Sequence, residues 1–87
     1  MNLKPRKQAE AKILVEAPHS TVDIIIKALE PELESGISDR SKVLLKASEK
    51  GLVIEVSADD VIALRAAVNS YLYWVQGIME IGSRFSP

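Results

Sequence analysis

The feature that most constrains this chain is the change of hydrophobic period along it. From Gln8 to Glu16 the residues alternate, with Ala9, Ala11, Ile13 and Val15 on one side and Gln8, Glu10, Lys12, Leu14 and Glu16 on the other. A period of two belongs to a half-buried strand. The period then lengthens: Val22, Ile25, Ile26 and Leu29 fall at i, i+3, i+4 and i+7, the stripe of an amphipathic helix. Period two returns at Ser41, with Val43, Leu45 and Ala47 opposed to Lys42, Leu44, Lys46 and Ser48. It recurs in Leu52, Ile54 and Val56, and Glu49-Lys50-Gly51 between the two runs predicts a tight hairpin. A second, long helix follows, from about Asp59 to about Ile81.

Local signals predict the boundaries. Pro18 ends the first strand, and Ser20, three residues before Asp23, has the pattern of a helix N-cap. Ser57 repeats that pattern with Asp60, and Asp59 adds negative charge near the helix's positive end. Pro31 disfavours helical geometry at Glu30, so the first helix is expected to stop there. Glu32 to Arg40 then forms a polar loop around Gly36. The element order is β-α-β-β-α. Placing the third strand in the middle gives an all-antiparallel, three-stranded sheet of order 1-3-2 with both helices on one face, an α+β, KH-like fold. The expected organisation is a basic leader (1–7, with Lys4, Arg6 and Lys7), a single domain (8–81) and a short tail (82–87).

Composition narrows the class of function. The 87 residues hold no cysteine and one histidine, His19, which removes disulfides, thiolate catalysis and Cys-based metal sites. Eleven Lys+Arg against twelve Asp+Glu leave a net charge of −1, unlike the basic surplus of a self-sufficient nucleic-acid binder. Neither a signal-peptide pattern nor 18 uninterrupted apolar residues occurs, so a cytoplasmic, soluble domain is expected. A chain this short buries only about 60% of its unfolded surface. With no staple available, association with another chain is the remaining source of stability.

Two surfaces carry surplus apolar residues. On the second helix Trp74, Ala67, Ile78, Tyr71, Leu64, Val75, Val68, Val61, Met79 and Leu72 fill one continuous arc of roughly 160° at 100° per residue. One-sided packing needs about 100° or a little more. Val61, Leu64, Val68, Tyr71, Val75 and Ile78 also follow the seam spacing of paired helices. Two readings are open: a helix deep in its own groove, or a docking surface. The outward sheet face carries Leu14, Leu44 and Val53 among Lys12, Lys46 and Glu55. These three are either unrelated surface residues or the centre of a self-associating sheet, with edge-strand pairing as a further route.

Catalytic chemistry is not legible. His19 has no fixed acid or hydroxyl around it, Asp59-Asp60 is explained by the helix end, and Glu30, Glu32 and Glu34 read as a solvated run. Phosphate-cradling glycine motifs are absent, as are a GXXG clamp and any aromatic residue on the strands, so stand-alone RNA reading is not expected. No enzyme, cofactor or metal site follows from the residues.

The residues do resemble a family. Ala28-Leu29-Glu30-Pro31-Glu32, Arg40-Ser41-Lys42-Val43 and Ala63-Leu64-Arg65-Ala66-Ala67-Val68-Asn69-Ser70-Tyr71-Leu72-Tyr73-Trp74 are similar to the small dimerising subunit of the KEOPS complex, the Pcc/CTAG family of archaea and eukaryotes. The likeness runs from about Glu10 to Met79. It implies a non-catalytic subunit supporting threonylcarbamoylation of adenosine next to the anticodon of ANN-decoding tRNAs. Such a subunit packs its helices on the catalytic threonylcarbamoyl-transferase subunit and dimerises through its sheet side. On that basis Leu64, Val68, Tyr71, Leu72 and Val75 are expected at the partner interface or in the core beneath it, Asn69, with Arg65, at that interface or holding the helix to its own loop, and Leu14, Leu44 and Val53 at the dimer interface. A charge placed at Val68 or Tyr71 is expected to abolish docking and leave a folded dimer. Arg40, Lys42, Lys46 and Arg65 are the expected tRNA contacts, Arg40 alternatively pairing with Asp39 or Glu34. A small paralogue is a possible substitute for the second copy, and a KH-like RNA-binding protein acting alone is the alternative function.

Overall fold

A computed structural model describes residues 9–35 and 40–85, with five elements in the order β-α-β-β-α. They are β1 (Ala9–Glu16), α1 (His19–Ser35), β2 (Ser41–Ala47), β3 (Gly51–Ala58) and α2 (Val61–Phe85). The leader, Gln8, residues 36–39 and residues 86–87 lie outside the described residues.

Alternation set the strands where it was expected. The sheet has the order β1-β3-β2, and both pairings are antiparallel. Ile13, Ile54 and Leu45 form one row of the inner face, and Ala11, Val56 and Val43 the next. Both helices cover that face, α2 packing on all three strands and α1 on β2 and β3. The core joins Val22, Ile25 and Leu29 of α1, Leu45 of β2, Leu52, Ile54 and Val56 of β3, and Ala67, Tyr71 and Val75 of α2.

The hairpin closes through Ser48 and Gly51. The Ser48 amide donates to the Gly51 carbonyl at 2.7 Å, and the Gly51 amide to the Ser48 carbonyl at 3.2 Å. Gly51 has φ +152° and is buried beneath the end of β1, whose Glu16 is its register partner.

Four boundaries differ from the expectation. Pro31 lies inside α1, not beyond it. Its missing N–H removes one helical bond at an exposed position, while Leu33 packs against the core and holds the extra turn in place. Glu32, expected in a loop, is therefore helical and half-buried. The N-terminus of α1 begins one residue before Ser20: the Val22 amide donates to the Pro18 carbonyl at 3.0 Å. Ser57 does not cap α2, because it is a ladder residue of β3 between Glu10 and Lys42. The cap is Asp60, whose Oδ1 accepts the Ala63 amide at 2.8 Å, an arrangement generally worth about 1 kcal/mol. Finally, α2 continues through Gly82 to Phe85, where a tail was expected.

Candidate interaction surfaces

The outer sheet face is a grid of three short rows. Glu10, Ser57 and Lys42 form the first, Lys12, Glu55 and Leu44 the second, and Leu14, Val53 and Lys46 the third. Leu14 and Val53 are direct neighbours, whereas Leu44 stands one row away, opposite Glu55. Glu55 occupies the centre and bridges two lysines, with Lys12 Nζ at 3.7 Å and Lys46 Nζ at 3.5 Å. Such exposed pairs contribute about 0–1 kcal/mol each. Their consequence here is geometric: a charged cluster interrupts the apolar trio, although Leu14 is 46% and Leu44 50% exposed.

The arc on α2 is divided between the chain's own core and two flanks. Tyr71 and Val75, expected at a partner interface or beneath it, are fully taken up by the core at 1% and 2% exposure. Tyr71 meets Trp74 edge-on, with ring centroids 5.1 Å apart and planes at 68°. Leu64 and Val68 are half-buried against that core, and Leu72 is on the rim. Asn69 and Arg65 are exposed on the solvent side of α2.

Burial, and secondarily the Glu32 carboxylate, push the Tyr71 phenol above its ordinary value of 10.0. The folded chain thus favours the neutral phenol. This contribution to stability is intact below the unfolded value and is lost as pH rises through the higher folded one. Tyr71→Phe is expected to flatten that part of the alkaline decline, read from denaturation midpoints between about pH 8 and about pH 11. An unchanged decline would mean that the phenol ionises equally in both states.

Toward α1, the helix pair forms a groove of 510 Å³ with Ala28, Leu29 and Glu32 on one wall and Tyr73, Trp74, Gly77, Ile78 and Ile81 on the other. Tyr73 is 75% and Ile81 59% exposed. Sequence reasoning missed both: Tyr73 lies about 100° from either edge of the apolar arc, and Ile81, which continues the arc about 20° beyond Trp74, stands at the expected end of the helix. A large aromatic residue alone on the polar side of a helix was the available signal. Toward β1, Leu72, Val75 and Met79 line a second shallow groove with Val15. The inner residues of β1, Ala9, Ala11, Ile13 and Val15, are accordingly only half-buried.

The expected nucleic-acid residues do not converge. Arg40 forms an ion pair with Asp60, and its carbonyl accepts the Asp59 amide at 2.9 Å, while Asp39 and the Glu34 side chain lie outside what is described. That clasp joins the start of β2 to the start of α2. Lys42 and Lys46 project from β2 on the outer face, and Arg65 lies on α2, which covers the other face. Lys4, Arg6 and Lys7 lie outside the described residues. His19 is exposed at the first turn of α1. Among the described residues no group of three or more His, Cys, Asp or Glu side chains could hold a metal ion, and no helix is long and apolar enough to cross a membrane.

The family model described as transcription factor Pcc1 matches residues 9–82. Over 80 residues the chain is 30% identical to the KEOPS complex subunit Pcc1 of Pyrococcus abyssi (strain GE5 / Orsay), spanning 91% of this chain and 96% of that protein.

Proposed function

This chain belongs to the Pcc1 family, and from that premise we propose that it is a non-catalytic subunit of a KEOPS-type complex that modifies tRNA. It docks the catalytic threonylcarbamoyl-transferase subunit through its helices, joins two copies of the assembly through its sheet side, and assists tRNA binding within the complex. Threonylcarbamoylation of adenosine beside the anticodon of ANN-decoding tRNAs is the reaction it supports. It works in the cytoplasm, as a homodimer or with a small paralogue in place of the second copy.

The observation that carries the docking reading is the groove between α1 and α2. Tyr73 and Ile81 present apolar surface there that the chain's own core does not use, beside Trp74, which packs against that core. Exposed aromatic and aliphatic anchors beside a groove are the usual centre of a protein interface. Leu64, Val68, Asn69 and Leu72 extend along the opposite flank and the solvent side of α2, and Tyr71 and Val75 support the helix from below. Arg40, Lys42, Lys46 and Arg65 are the groups that would reach tRNA phosphate, Arg40 and Lys46 while also paired with Asp60 and Glu55. Lys42 and Lys46 share the outer sheet face while Arg65 lies on α2 over the other face, which suits a weak supplementary contact better than a self-sufficient binding site. The alternative of a KH-like protein acting alone on RNA is disfavoured because the sequence has no GXXG loop to clamp the RNA backbone.

The test is light scattering on a sizing column with the catalytic subunit from the same genome. Wild-type chain is expected to shift into a complex with two small and two catalytic chains. Tyr73→Asp and Ile81→Asp change exposed residues, so each is expected to stay folded and to weaken docking by about tenfold or more. Wild-type failure to bind would refute the partner assignment; normal binding by both variants would move the interface away from the groove.

A further inference from the structure

We propose that Lys42 and Lys46 close the β2 edge of the sheet to a second copy of this chain. In the described sheet β2 pairs only with β3, so its other edge has no described strand beside it. Such an edge is a template for pairing with another chain. A sheet that joins copies at one place and leaves a second edge unguarded builds an open array, not a closed assembly. The two lysines thus set where association through the sheet stops.

Apart from its lysines, β2 is well made to pair with itself. Two-fold antiparallel pairing centred on Leu44 engages all 7 residues of the strand. It sets Leu44 against Leu44, Val43 against Leu45 twice and Ser41 against Ala47 twice. Leu44 is 50% exposed, so apolar surface is on offer there. The same register sets Lys42 against Lys46 twice, and like charges directly opposite destabilise a strand pair. Centring on Val43 or Leu45 sets a lysine against Leu44 twice, and centring on either lysine sets it against its own copy. No register escapes the charge, because β2 holds no carboxylate of its own.

Glu55 does not lift this block. It lies on β3, inward from the edge, and divides itself between Lys46 at 3.5 Å and Lys12 at 3.7 Å. Head-to-tail pairing of β2 with β1 of another copy is resisted as well. With Leu44 opposite Leu14, Lys42 meets Glu16, but Lys46 meets Lys12 and cancels the gain. This role of the lysines needs no RNA.

Rates of disulfide formation without RNA test this, because the chain has no cysteine of its own. In the Leu44-centred register residue 44 faces itself at a Cα separation of about 4.5–5.5 Å, which a disulfide spans. Leu44→Cys alone is expected to cross-link slowly under mild oxidation. Adding Lys42→Glu turns both like-charge oppositions into Glu–Lys pairs and leaves Lys46 with Glu55, so the cross-link is expected to form about tenfold faster. A carboxylate near a thiol disfavours the thiolate, so the reaction chemistry alone would run the other way. Adding Lys46→Glu as well opposes like charges again and is expected to restore the slow rate. Val53→Cys, on the central strand, is expected to gain nothing from Lys42→Glu. Fast cross-linking by Leu44→Cys alone, no acceleration by Lys42→Glu, or an acceleration that Lys46→Glu does not reverse would each overturn the proposal. A wild-type monomer by light scattering would overturn the homodimer reading alone, since these rates are compared between variants.

Discussion

Gly51→Ala is expected to lower the melting temperature by roughly 15–30 °C, through a loss of about 3–5 kcal/mol. Two independent penalties fall on this position. Its φ of +152° lies where L side chains rarely go, and a Cβ there would sit 2.1 Å from the Val15 carbonyl oxygen and 2.8 Å from the Ala17 nitrogen. Both neighbours are backbone, so rotamer adjustment gives no relief. The end of β1 would have to lift away from the hairpin, stretching the Ala17 amide to Lys50 carbonyl bond, already 3.4 Å. Inner residue Val15 would move with it, away from its partner Leu52. A domain of this length has only about 5–10 kcal/mol of stability in total, so the loss is a large share. Gly77→Ala is the matched control. A Cβ at Gly77 meets nothing within 4 Å, and removing a glycine from a helix interior generally stabilises by about 0.5–1 kcal/mol. Thermal denaturation followed by circular dichroism reads both, and a Gly51→Ala chain melting with the wild type would refute the close approach of β1 to the hairpin.

The fold was largely legible in the sequence because its strands obey a strict period of two. Once Glu49-Lys50-Gly51 was read as a turn, β2 and β3 had to be antiparallel neighbours, and order 1-3-2 followed from placing β3 between its partners. Boundaries were harder because several residues can satisfy the same backbone groups. Ser57 and Asp60 are both good caps, and ladder pairing claimed Ser57 for β3. Pro31 is a helix breaker only when nothing downstream compensates, and Leu33 does. Arg40 pairs with Asp60, 20 residues away, which sequence proximity could not suggest. The candidate surfaces were legible only in outline. A continuous apolar arc records that a helix has partners on several sides, without saying which belong to the same chain. That division depends on where α2 sits across a three-stranded sheet, which is a tertiary quantity. The outer face shows the same limit: Leu14, Leu44 and Val53 were placed on one face correctly, yet the register puts Leu44 beside Glu55 and not in the row of the other two.

Tyr71→Ala is expected to cost about 3–5 kcal/mol and to leave a substantial unfolded fraction at room temperature. Tyr71 is among the largest fully buried side chains, and its removal opens a cavity between α2, the sheet and the edge-on ring of Trp74. Truncation of a buried aromatic loses both the transfer free energy and the contacts around the void. A charge at Tyr71 would therefore unfold the chain before it could report on docking, contrary to the expectation of a folded dimer drawn from the resemblance. Two residues onward the reverse holds. Tyr73 is 75% exposed, so Tyr73→Ala is expected to change stability by no more than about 0.5 kcal/mol. Two tyrosines separated by one residue on the same helix thus separate a buried anchor of the fold from an exposed residue of the proposed docking surface. Urea denaturation of the isolated chain, paired with catalytic-subunit binding, reads the two separately. A folded Tyr71→Ala chain of near wild-type stability would mean that α2 is not anchored through this ring. Destabilisation by Tyr73→Ala of similar size would mean that the groove wall belongs to the core.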